Sequence, residues 1–152
     1  MPEKATMDKA KEDLHDGKSP STAAGEFVHE EMDHVREGKH GARSTKQAIA
    51  IGLSKARRAG VPLKPPRAGQ TSSKTRKSAE RAYEAGQGRR KPKATSAKRS
   101  RATLGALKRE GSRAASRSAL SAHAKQVGRR RKAAGAGSRK TASSPKTSSR
   151  RK

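Results

Sequence analysis

Seventeen residues of this chain carry a large apolar side chain, and nine of them lie between positions 21 and 63. The nine are Phe27, Val28, Met32, Val35, Ile49, Ile51, Leu53, Val61 and Leu63. Only five follow Leu63, among them Tyr83, Leu104 and Leu107. A length of 152 residues suits one ordinary domain, but 28% hydrophobic content with a net charge of +26 does not. Such chains cannot offset their ordering entropy by burial. The folded part is therefore expected in 19–63.

Two helices are well punctuated there. Ser19-Pro20 offers an N-cap and a proline at the first helical position, where a missing N–H costs nothing. Ala24, Phe27, Val28, Met32 and Val35 follow near helical spacing, with Glu26, Glu30, Glu31 and Asp33 between them, and Gly38 is the expected stop. Ser44-x-x-Gln47 reads as a capping box, the serine accepting from the third N–H and the glutamine reaching back. Ala48, Ile49, Gly52, Leu53 and Ala56 form an inner stripe, and Gly60-Val61-Pro62 ends the helix. The connection Lys39–Arg43 is short enough to force an antiparallel hairpin, and Ala48, Gly52 and Ala56 are small enough to permit close approach. So small a core is marginal alone. A second copy, or a helix over 3–16 docking through Met7 and Leu14, would support it.

Charge divides the chain differently. Residues 1–38 hold ten acids against five bases, whereas 39–152 hold 34 bases and three acids, Glu80, Glu84 and Glu110. A segment so basic has polyphosphate as its natural partner, because each docked Lys or Arg releases counterions. The expected map is an acidic N-terminal helix in 1–18 and the hairpin in 19–63. A Pro/Gly/Ser linker follows in 64–74, then a basic helix-prone segment in 75–127 and a disordered basic tail in 128–152. Segments 74–85, 96–109 and 112–127 are helix-capable, but their few large side chains predict nascent helix without stable packing. The fold class expected is all-α: a small hairpin followed by a long, basic, largely disordered extension.

The residues Gly25-Glu26-Phe27-Val28 and Gly38-Lys39-His40-Gly41-Ala42-Arg43-Ser44, continued through Lys46-Gln47-Ala48-Ile49 to Gly60, carry a resemblance. The stretch from about 17 to 64 resembles a family of small basic bacterial proteins known chiefly as a domain of unknown function. That resemblance implies a bacterial cytoplasmic protein; it supplies neither catalytic residues nor a ligand.

Several motifs invite sharper readings. In His29-Glu30-Glu31-Met32-Asp33-His34 the histidines are five apart and cannot share an ion on one helix face, so solvated acidic-face residues are expected and no metal site is assigned. Gly17-Lys18-Ser19 resembles the end of a phosphate loop, but position 12 is Glu and no apolar strand precedes it. With no cysteine and no pocket-sized core, neither an enzyme nor a cofactor is expected. The Gly38–Ser44 segment places Lys39, His40 and Arg43 before a helix N-terminus, which favours an anion, while its glycines equally suit a tight turn.

No apolar run approaches a membrane span, and Met1-Pro2-Glu3-Lys4 begins no secretory signal. The functional expectation is duplex DNA binding through phosphates with little base specificity, as in nucleoid-associated proteins of the bacterial cytoplasm. Lys39, Arg43, Lys46, Lys55, Arg57 and Arg58 in the hairpin would carry it. Arg89, Arg90, Lys91, Lys98, Arg99, Arg101, Arg129, Arg130, Arg131 and Lys132 would join them from the extension. Scarce aromatics, Phe27 and Tyr83 alone, tilt the choice from single strands towards duplexes. An RNA- or ribosome-associated protein and a hydrophilic disordered stress protectant are the alternatives. The acidic N-terminus could compete with nucleic acid for the bases.

Overall fold

The computed structural model describes residues 2–91, 94 and 96–140, with side chains as far as residue 134. Regular structure among them is entirely helical: α1 (Lys4–His15), α2 (Pro20–Arg36), α3 (Thr45–Arg58), α4 (Ser73–Gly86), α5 (Ala97–Arg109), a 3-10 turn η1 (Ser112–Ala115) and α6 (Arg117–Lys140). The chain divides into two compact units, Met1–Ser116 and Arg117–Lys152.

The first unit is built on the α2/α3 hairpin. Ser19 caps α2 by accepting from the Thr22 N–H, with Pro20 at the start. Ser44 caps α3 by accepting from the Gln47 N–H, and Gln47 Oε1 reaches back to the Arg43 N–H at 2.9 Å. Both helices close on a glycine in the left-handed region, Gly38 at φ 73° and Gly60 at φ 97°. There the Lys39 and Val61 N–H groups bond back to His34 and Ala56 carbonyls, the Schellman closure that lets a glycine turn the chain without a Cβ penalty.

The two helices touch backbone to backbone. A Cβ at Gly52 would fall 2.7 Å from Val28 Cα and 2.9 Å from the Phe27 carbonyl oxygen, and Ala48 and Ala56 on the same stripe are fully buried. Phe27, Ala23, Ala24, Ala56, Val61 and Ala10 form the core, with Met7 and Leu14 of α1 packed against it. The docking of the N-terminal helix expected from Met7 and Leu14 is thus what completes the hairpin. Gly52→Val should force the helices apart and cost about 1–3 kcal/mol by overpacking. Gly25→Ala, on an exposed helical position with open space around it, should gain about 0.5–1 kcal/mol. Urea unfolding followed by circular dichroism measures both.

The extension departs from the expectation of a largely disordered chain. α4 packs on α3 through Ala79 and Ala82, both buried. Gly86 lies so close to Arg57 that a Cβ there would overlap the Arg57 carbonyl oxygen, and Gln87 Nε2 donates to the Gly60 carbonyl at 3.0 Å. η1 buries Ala114 and Ala115 against α2 and α3, where Thr45 Oγ1 donates to the Ala114 carbonyl at 2.7 Å and Arg36 Nε to that of Ala115 at 3.1 Å. The physical reason is alanine. Among the described residues, ten of the fourteen buried hydrophobic ones are Ala, so this fold packs helices at close range and needs few large side chains. α5 is different: it buries no residue, and Leu104 is 47% exposed.

The second unit is α6, 24 residues and so about 36 Å long. Residues 128–140 are helical, where a disordered tail was expected; residues 141–152 of that tail lie outside the described residues. No α6 residue up to 134 is buried.

Candidate nucleic-acid interface

The hairpin bases fall into two groups. Arg43, Lys46 and Arg58 are exposed. Lys39 is half exposed but sits 3.0 Å from Glu37 Oε2 and 3.4 Å from Glu3 Oε1; the Glu37 hydrogen bond, then Glu3, holds its ammonium above the usual range. Lys55 and Arg57 serve the fold instead. Arg57 is 8% exposed and donates from Nε to the Leu63 carbonyl at 3.1 Å, with burial lowering its pKa.

Lys55 reaches two buried acids of α2, with Nζ 3.2 Å from Glu30 Oε1 and 2.8 Å from Glu31 Oε2. Burial opposes the Lys55 charge, yet Glu31 and then Glu30 raise its pKa overall. Burial likewise pushes the Glu30 carboxyl up, but hydrogen bonds from Thr6, the Glu3 N–H and Lys55 hold it below its ordinary value. Glu30 and Glu31 are 6% and 0% exposed, which corrects the reading of this stretch as solvated. Of this stretch only His29 is exposed, with Nδ1 3.0 Å from Asp33 Oδ2.

The Gly38–Ser44 loop is occupied by the chain itself. The Gly41 N–H bonds to the Leu107 carbonyl at 2.9 Å and the Ala42 N–H to that of Gly111 at 3.3 Å. A Cβ at Gly41 would overlap the Glu110 carbonyl oxygen. The loop is thus the seat of the α5–η1 connection, and its glycine answers a close backbone approach. These two loop amides are therefore engaged within the chain, and at the helix start itself the Ser44 hydroxyl accepts from the Gln47 N–H.

In the extension, Arg89, Lys91, Lys98, Arg99 and Arg101 are exposed, as is Arg90, whose Nη1 lies 3.6 Å from Glu84 Oε2. In α6, Arg129, Arg130, Arg131 and Lys132 are all exposed. Four consecutive helical residues step round the axis, so they cannot all meet one surface. Exposed Lys125, which belongs to no cluster of adjacent bases, stands in register with two of them: Lys125, Arg129 and Lys132 follow i, i+4, i+7 and share a face. Helical spacing was the signal that could have found it.

Within residues 2–116 the described ion pairs leave the N-terminal acids among themselves and near bases: Lys9 with Glu26, Lys18 with Asp13, Arg36 with Asp33, and Lys39 and Lys55 as above. None of these acids pairs with a base beyond Lys55 in that range.

Residues 16–68 match a family of unknown function, DUF6496. No curated protein and no solved structure matches the chain. The DUF6496 segment spans α2, α3 and their flanking turns, and so holds Glu30, Glu31, Lys55 and most of the Ala-lined contact. The bases of 89–132 lie beyond it. No helix among the described residues is long and apolar enough to cross a membrane.

Proposed function

We propose that this chain binds duplex DNA through phosphate contacts, without reading bases, in the manner of nucleoid-associated proteins. The observation that carries the proposal is the charge of α5 and of α6, each taken by itself. Neither helix contains an acid, and Lys98, Arg99, Arg101, Lys125 and Arg129–Lys132 are exposed along them. Each helix taken by itself is thus a run of exposed bases without an acid of its own, and phosphates are the abundant counter-charge. Arg43, Lys46 and Arg58 would add contacts from the DUF6496 segment, while Lys55 and Arg57 stay with the fold. The need for a second copy is reduced, since α1 and α4 cover the hairpin from within the chain. The protectant alternative rests on the Gly, Ser and charge content, and a chain with packed α4 and η1 is better suited to binding than to acting as a disordered protectant. The proposed role is binding rather than catalysis.

RNA is separated from DNA by titrating the full chain against two unrelated duplex DNAs of equal length and one structured RNA at matched salt. The two duplexes should bind within about threefold of each other and the RNA more weakly, because phosphate contacts carry no sequence information. Tighter binding to the RNA would put the RNA-associated reading ahead.

A further inference from the structure

The buried end of the ionic cluster meets two histidines. Glu31 is 0% exposed, and neither of its carboxylate oxygens receives a directed hydrogen bond. Lys55 answers its charge from the Oε2 side at 2.8 Å without hydrogen-bond alignment. Oε1 faces His40 Nε2 at 3.4 Å. The other nitrogen of that ring, Nδ1, lies 3.2 Å from the Gly41 carbonyl oxygen. A carbonyl can only accept, so Nδ1 carries the proton, and in the neutral ring Nε2 turns a lone pair on Glu31. The buried carboxylate therefore calls for something positive between the two groups, a proton or a metal cation.

His34 stands beside this pair, its ring edge-to-face with His40 at a centroid distance of 6.1 Å. Glu3 Oε1, 3.0 Å from His34 Nε2, holds that ring from outside. One ring nitrogen of each histidine and one Glu31 oxygen lie within 4.8 Å of one another. The two histidine side chains are only 13% and 14% exposed. A cleft of about 280 Å3 reaches His34, with Glu3, Glu30 and Lys39 also in its lining.

We infer that Glu31, His34 and His40 form a site for a divalent first-row transition cation, with Zn2+ the best match. Two imidazoles and one carboxylate suit Zn2+ rather than Mg2+ or Ca2+, which prefer all-oxygen shells. Contraction of about 1 Å would bring donors spread over this distance to the bond lengths of about 2.0–2.2 Å that Zn2+ takes. The Gly41 carbonyl and Glu3 are the outer partners that fix ring orientation around a metal. The cation would tie the α2–α3 loop to α2, independently of any nucleic acid.

The test is titration of metal-stripped full-length chain with ZnCl2 by calorimetry, and with CoCl2 by visible absorption. Expected are one equivalent of Zn2+ and a Co2+ ligand-field band of low-coordinate intensity. His34→Gln and His40→Gln should each weaken Zn2+ binding by more than about 100-fold, and Glu3→Gln by about 10–100-fold. His29→Gln and His123→Gln should leave it unchanged. Circular dichroism of the two ligand variants checks their helicity. Should either lose its fold, the wild-type stoichiometry and Co2+ band still decide the matter. Absence of a saturable single site, or loss of binding with His29→Gln but not His40→Gln, would overturn the inference and leave His40 and Glu31 as a simple ion pair.

Discussion

Lys55→Met is expected to lower the unfolding free energy by about 3–5 kcal/mol, the usual cost of removing one partner from a buried ion pair. Met keeps most of the lysine stem, so packing changes little; what disappears is the only ammonium within 4 Å of Glu31 among the described residues. Glu31 is then a fully buried carboxylate with only the His40 ring, 3.4 Å from Oε1, beside it. In a core made mostly of alanine, a loss of that size should leave much of the protein unfolded at 25 °C, readable by urea titration. The double variant Lys55→Met/Glu31→Met should recover most of the loss, because replacing a whole buried pair by apolar groups is often neutral. A single variant as stable as the parent would mean that Glu31 is not buried as described.

Lys55 and Glu30, which are themselves 3.2 Å apart, set the pH window. The pKa of Lys55 is raised in the folded state, so its contribution is fully present below the unfolded value of about 10.4 and is lost as pH rises through the folded value. The pKa of Glu30 is lowered, so its contribution is present above the unfolded value of about 4.3 and is lost as pH falls through the folded value. Stability should form a plateau between, and Lys55→Met should remove this contribution to the alkaline limb.

Local rules carried the hairpin almost to the residue. Ser19, Pro20, Gly38, Ser44, Gln47 and Gly60 act within one turn of their own positions, and Gly52 announces close approach through the absence of a side chain. What sequence did not disclose depends on distant partners. Ala79, Ala82, Ala114 and Ala115 look like filler until α3 and α2 are laid against them, and a count of large side chains passes over them. Glu30 and Glu31 resemble their exposed neighbours until α1 and Lys55 cover them. His40 sits in a loop whose path is set by a backbone contact to residues 107–111, so its meeting with His34 and Glu31 lay outside any spacing rule. The basic surface was legible as charge, and α6 supplied its register through Lys125, Arg129 and Lys132.

The central claim is that this charge is spent on phosphates, and the salt dependence of binding to a duplex of about 25 base pairs tests it most directly. Each neutralised phosphate contributes about −0.9 to the slope of log K against log salt. With 28 bases after residue 63, about 6–10 contacts are within reach, which gives a slope between roughly −5 and −9 for the full chain. Replacing Lys125, Arg129 and Lys132 by Gln should make it shallower by about 2–3, as three contacts on one helical face are lost. Circular dichroism should show α-helix content unchanged in that variant, since all three side chains are exposed. A full-length slope near zero would contradict the account, because the bases would then have been shown not to act on nucleic acid.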